Sequence, residues 1–231
     1  MKHRAQQRST RLGRQALGLS VLAAGFATAT TLPAQAATPA SMFPHVAVAN
    51  DSAHTLANRA HETRYQDSFT VHQFGNVTAA SARNQAVALS VGCSANDPCR
   101  STALSFQIVT MAGENIHLNA VNLSTARNEH CDGCQTLAGA YQFIVSTPHP
   151  FTLSAQEQGQ LAAIHHKLDA LGKSTLPAAD LKQQADALAA DVLAVLKSAA
   201  ATAPTSHDSK ASNSFHPTVT MKCHFDGWPV S

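Results

Sequence analysis

The strongest constraint in this chain is a motif that occurs twice between Asn84 and Val145. The first copy runs from Asn84 through Cys93 and Cys99 to Phe106-Gln107, the second from Asn122 through Cys131 and Cys134 to Tyr141-Gln142. In each, an Asn stands nine positions before the first Cys. An Ala (Ala103, Ala138) follows the second Cys by four positions, and an aromatic-Gln pair follows it by seven and eight. The copies differ in length only between the cysteines, five residues against two. Landmarks that recur in one order at nearly one spacing predict the same local unit built twice.

The period inside each copy is two. Leu104, Phe106 and Ile108 alternate with smaller or polar residues, and Leu137, Tyr141, Phe143 and Val145 do the same. Such alternation predicts strands with their larger side chains on one face. The aromatic-Gln pairs therefore read as core and ladder residues rather than ligand contacts. Ala112 to Asn115 has turn chemistry, and Ile116 to Asn119 is expected to begin a return strand. Asn119 to Asn128 is rich in Asn, Ala and Ser. Small side chains let neighbouring backbones approach closely, but their weak strand propensity leaves helix or loop open for part of this stretch. Ser68 to Phe74 is a candidate first strand.

After Pro148 and Pro150 the period changes to helical. Ser154 and Glu157 have the spacing of a capping box. Leu161, Ile164, Leu168 and Leu171 then form one stripe, and Gly172 is placed to end the helix. Pro177 suits the first turn of a second helix, whose stripe is Leu181, Ala185, Leu188, Val192, Val195 and Leu196. Two helices with so short a link should form an antiparallel hairpin. The expected fold is α+β: a β-rich cysteine-repeat region (67–153), then the hairpin (154–198). A flexible leader (37–66) and a low-complexity tail (199–231) flank them. Phe215 to Ser231 regains Phe, Val, Met, Cys and Trp228, as a docked segment or a sticky tail. Truncation after Ala201 is expected to leave a folded domain.

The first 36 residues read as a signal peptide. Lys2, Arg4, Arg8, Arg11 and Arg14 precede an apolar run from Ala16 to Ala29, and Ala34-Gln35-Ala36 offers a cleavage site. The run is too short for the ~20 apolar residues of a membrane span, so no transmembrane anchor is expected after cleavage. The remaining chain has 11 basic and 14 acidic residues, a net charge of −3, which gives no electrostatic footprint for nucleic acid.

Four of the five cysteines lie in the two copies, and Cys223 is left over. In an exported chain the first expectation is two local disulfides, Cys93 with Cys99 and Cys131 with Cys134. A redox pair, a zinc site drawing on His130 or on Cys223-His224, and cross-repeat pairing are the alternatives. His165 and Asp169 share a helix face, read as solvated surface. His61-Glu62 opens a zinc-protease pattern that fails at Tyr65. No Gly-rich phosphate loop, nucleophile elbow or triad spacing occurs. The sequence thus offers no catalytic residue, metal ligand set or cofactor, and a ligand-binding surface remains unassigned.

The combination Asn-x8-Cys-x2-Cys-x3-Ala-x2-[Phe/Tyr]-Gln, followed by a capped helical pair, resembles secreted cysteine-repeat proteins of actinobacteria. It is also similar to the extracytoplasmic C-terminal part of proteins labelled peptide zinc metalloproteases. The resemblance covers about residues 76 to 198. This chain departs from the pattern in its longer first cysteine loop, and it lacks the protease's metal motif and membrane spans, so the protease label does not transfer. The resemblance implies an exported module and brings no activity with it. The expectation is a secreted, non-catalytic binding or structural protein of the cell envelope or the extracellular space; its partner is not named by the sequence, an envelope protein being the candidate. A thiol-disulfide or metal-handling protein is the alternative.

Overall fold

The computed structural model describes residues 45–204 and 216–227. The fold is α+β, with strands β1 (His45–Asn58), β2 (Thr63–Val91), β3 (Arg100–Ala112), β4 (His117–Glu129) and β5 (Gln135–Thr147). Helices α1 (Ala155–Gly172) and α2 (Ala178–Ala201) follow, and then strand β6 (Thr218–Gly227).

β2 belongs to two sheets. Its first part, Thr63 to Asn76, pairs with β3, whereas Val77 to Val91 pairs with β1 and Ala79 to Val91 with β4. β5 pairs with the other edge of β3, in the same sheet as the first part of β2. The chain therefore winds, placing successive strands alternately in a first sheet (β1, late β2, β4) and a second (early β2, β3, β5). All these pairs are parallel. A parallel pair needs a crossover of a dozen or more residues, commonly a helix. Here a strand of the opposite sheet serves as that crossover. β4 consequently is not a hairpin return on β3: it crosses to the first sheet and pairs with β2. Despite its weak propensity, the Asn119–Asn128 stretch is strand throughout.

The interior between the sheets is thin. Ala53, Ala86 and Ala88 of the first sheet meet Ala103, Ala138 and Ala140 of the second. With methyl groups as spacers, a single Asn side chain crosses the gap: Asn84 Nδ2 donates to the Ser105 carbonyl at 3.1 Å. Packed sheets with larger side chains usually stand ~10 Å apart.

The outer face of the second sheet carries the large residues. Phe69, Phe106 and Tyr141 lie in register on three neighbouring strands and join Leu181, Leu188 and Leu196 of α2 in one core. β3 and β5 are thus buried on both faces, as parallel strands covered by helices are. The outer face of the first sheet is open, with Val46, Val48, Leu56 and Leu123 exposed.

α1 begins with the reciprocal capping box, Ser154 accepting from the Glu157 amide and Glu157 from the Ser154 amide. Gly172, its last residue, serves packing rather than a left-handed turn. A Cβ there would overlap the Tyr65 ring, whose hydroxyl donates to the Leu168 carbonyl at 3.2 Å. α2 starts after Pro177.

Four readings need correction. His45 to Tyr65 is not flexible leader: it forms β1 and the start of β2. Its alanines look core-poor in sequence, yet they are the right size for the thin interior. The tail is not low-complexity throughout: β6 pairs antiparallel with β5 and lays Phe225 on the helix-side core. This removes the ground for expecting a folded domain after truncation at Ala201. His165 is not solvated surface but stacks on Phe69 at 5.0 Å and bonds Asp67 at 2.7 Å. Asp169 pairs with Lys173, not with His165. The signal segment 1–36, the leader up to residue 44, residues 205–215 and Trp228 lie outside the described residues. No described helix is long and apolar enough to cross a membrane.

Candidate functional site

The turns that carry the chain from first to second sheet stack on one another, and the cysteines lie in two of them. The first such turn, at Asn58–His61, has no cysteine. Its two backbone hydrogen bonds close it, and Asn58 Oδ1 accepts from the Ala60 and His61 amides. The second runs from Gly92 to Cys99 and the third from His130 to Cys134. Gly92 (φ 70°), His130 (φ 49°) and Gly133 (φ 71°) take left-handed conformations there, which glycine adopts freely and His seldom does.

Cys93 is bonded to Cys99, and Cys131 to Cys134, each with Cα atoms 5.8 Å apart. The two bridges touch. The Cys99 amide donates to Cys134 Sγ at 3.3 Å, and the Asp132 amide to the Cys93 carbonyl at 3.3 Å. Ala57, Cys93, Cys99 and Cys134 form one buried cluster, with Cys131 partly buried against it. The sulfurs of Cys93, Cys131 and Cys134 all lie within 4.8 Å of one another. Among the described residues this is the one convergent set of metal-ligating atoms. While both bridges stand, it offers no thiolate to a cation.

The remaining candidates lie elsewhere. His224 Nδ1 bonds the Ser124 hydroxyl at 2.7 Å. His61 closes the first turn. Cys223 is a free, exposed residue whose thiol faces Tyr141 and Asp186. Burial of the thiol, and secondly the Asp186 carboxylate, push its pKa up.

A polar ladder in the thin interior was not foreseen as a unit. Gln142 Nε2 donates to Gln107 Oε1 at 2.9 Å, and Gln107 Nε2 donates to Asp51 Oδ2 at 2.6 Å. His72 Nε2 donates to the same Asp51 oxygen at 2.8 Å. Burial alone would raise the Asp51 pKa, but the hydrogen bonds from His72 and Gln107 outweigh it and hold the carboxyl below its ordinary value. The signal was present in the sequence. Asp51 stands in register with Asn84 and Asn122, and Phe69-Thr70 with the two aromatic-Gln pairs. Without cysteines, that earlier stretch gave no landmark to align.

No protein-family model, curated protein or solved structure matches the chain.

Proposed function

We propose that this chain is exported and works outside the cytoplasm as a disulfide-stapled binding or structural part, with a component of the cell envelope as partner. In this reading the stretch from Asn84 to Val145 is two turns of a repeat. The helices form an antiparallel hairpin that covers its aromatic face. The observation that carries the proposal is that both bridges close adjacent turns of one winding. A bridge over so short a loop contributes roughly 2 kcal/mol by restricting the unfolded chain, and an oxidising compartment is where such bridges persist. The resemblance to secreted cysteine-repeat proteins agrees with this placing. The polar interior supports a non-catalytic role, since Asp51, Gln107 and Gln142 are engaged with one another inside the winding rather than aimed into a cleft.

A second reading, an extracytoplasmic thiol-disulfide or metal-handling protein, is favoured by the mutual approach of the Cys93, Cys131 and Cys134 sulfurs.

Mass spectrometry of the exported protein, non-reduced and reduced, tests the first reading. A chain beginning at Ala37 with both local bridges is expected. A cytoplasmic chain that keeps residues 1–36 and four free thiols in the repeats overturns it.

A further inference from the structure

We propose that the stacked bridges form a thiol–disulfide exchange site for a low-molecular-weight thiol, attacked at Cys131 and passing the exchange inward to Cys93. The proposal rests on the second reading above. Cys93, Cys99 and Cys134 are buried, whereas Cys131 is only partly buried and is the most exposed of the four. A thiolate attacks the sulfur whose partner leaves most readily, and exposure too selects Cys131 as the sulfur attacked.

The first step forms a bond between the incoming sulfur and Cys131 Sγ and breaks the Cys131–Cys134 bond. Cys134 leaves as a thiolate into a place prepared for it, because the Cys99 amide hydrogen already points at its sulfur at 3.3 Å. A hydrogen bond to an anion is stronger than one to a neutral acceptor, so the amide favours Cys134 as the leaving group. In the second step the Cys134 thiolate, within 4.8 Å of Cys93 Sγ, attacks it. The Cys93–Cys99 bond breaks, and Cys99 leaves as a thiolate that takes a proton from water. Two disulfides enter and two remain, one mixed disulfide at Cys131 and one new bridge from Cys93 to Cys134. The proton of the incoming thiol is balanced by the one gained at Cys99, and no external oxidant or reductant is consumed.

The local packing suits this course. A side chain at Gly133 would meet Ala95 and Pro98 at 3.8 Å, so the second turn lies against the third, and the inner cysteines are buried. The product joins the two turns covalently, which neither native bridge does.

The test uses the full oxidised chain carrying Cys223→Ser, so that the exposed free thiol does not react. Glutathione is the probe, the reaction is stopped with acid, and disulfide-linked peptides are mapped. Glutathione on Cys131, a Cys93–Cys134 peptide and a free Cys99 are expected together. With Cys93 and Cys99 both changed to Ser, Cys134 has no inner bridge to attack and expels glutathione again. The modified fraction should then fall roughly tenfold. Glutathione first found on Cys93 or Cys99, or two bridges that open independently with no Cys93–Cys134 peptide, overturns the exchange site and leaves the stapled module intact. Free thiols at all four repeat cysteines in the untreated exported protein overturn both.

Discussion

Asn84 and Asn122 stand opposite each other on neighbouring strands of the first sheet, and Asn84 Nδ2 donates to Asn122 Oδ1 at 2.9 Å. The same Asn84 amide also meets the Ser105 and Tyr141 carbonyls of the second sheet at 3.1 and 3.0 Å. Its oxygen accepts from the Ser105 hydroxyl at 2.6 Å. One fully buried side chain thus ties its own strand to three others across two sheets. Asn122 repeats the role one turn later, donating to the Ala140 and Lys222 carbonyls.

Asn84→Ala leaves buried groups on both sheets without partners, and each such group costs ~1–3 kcal/mol. A loss of about 2–4 kcal/mol is expected in urea denaturation, large for a single change. Ser105→Ala, which removes only the hydroxyl donor, should cost less than half as much. Equal losses from the two changes would show that Asn84 matters only through Ser105.

Asp51 is expected to contribute to the acid response. Its pKa is lowered in the folded state, so its contribution to stability is fully present above the unfolded value of ~3.9 and is lost as pH falls through the folded value. Wild-type stability should therefore decline as pH falls below about 4, and Asp51→Asn should flatten that decline while costing stability at neutral pH. Denaturation midpoints measured between pH 2 and 7 check this. A decline of the same slope in Asp51→Asn would assign the acid response to other carboxylates.

How much was legible follows from what each signal depends on. Helix α1 was readable because its cap and stripe are local: Ser154, Glu157 and the leucines need nothing distant to be recognised. The aromatic face of β3 and β5 was readable for the same reason. The winding was not, because parallel pairing through the opposite sheet leaves no turn signature at the site of pairing. β1 was missed because most of its inward positions are alanines, Ala47, Ala49, Ala53 and Ala57, and alanine looks like linker when the thickness of the interior is unknown. β6 left one trace. Gly139 interrupts the stripe of large residues on β5, and the ring of Phe225 fills that gap: a Cβ at 139 would lie 2.5 Å from Phe225 Cε2. Cysteine pairs drew attention to two turns, yet their stacking depends on register, which spacing alone does not give.

Leu188 lies mid-stripe on α2, buried in the core that α2 shares with Phe106 and Tyr141. Leu188→Ala should cost about 2–5 kcal/mol, the transfer term plus the cavity left behind. Were the helices a free arm for a partner, the same change would cost under ~1 kcal/mol, as surface substitutions do. A single denaturation curve separates the two, and an unchanged midpoint would reject the packed arrangement.

Removal of the chain after Ala203 tests β6. That strand covers β5 from Leu137 to Ser146. It also reaches β4, where the Asp226 carboxylate accepts from the Ala126 amide at 2.9 Å and His224 bonds Ser124. Without it, ten paired positions of β5 become an open edge beside apolar side chains, and such an edge is a template for another chain. The truncated protein is expected to unfold at lower denaturant and to self-associate, read by size-exclusion chromatography with light scattering. Phe225→Ala separates the two causes. It keeps the edge covered and removes only a partly buried ring, so it should lower stability by about 1–3 kcal/mol, less than full burial would give, and leave the protein monomeric. If the truncated chain stays monomeric with an unchanged midpoint, β6 is an accessory, and the earlier expectation of a complete domain ending near Ala201 would be restored. If Phe225→Ala self-associates as readily as the truncated chain, the ring rather than the backbone cover is what protects β5.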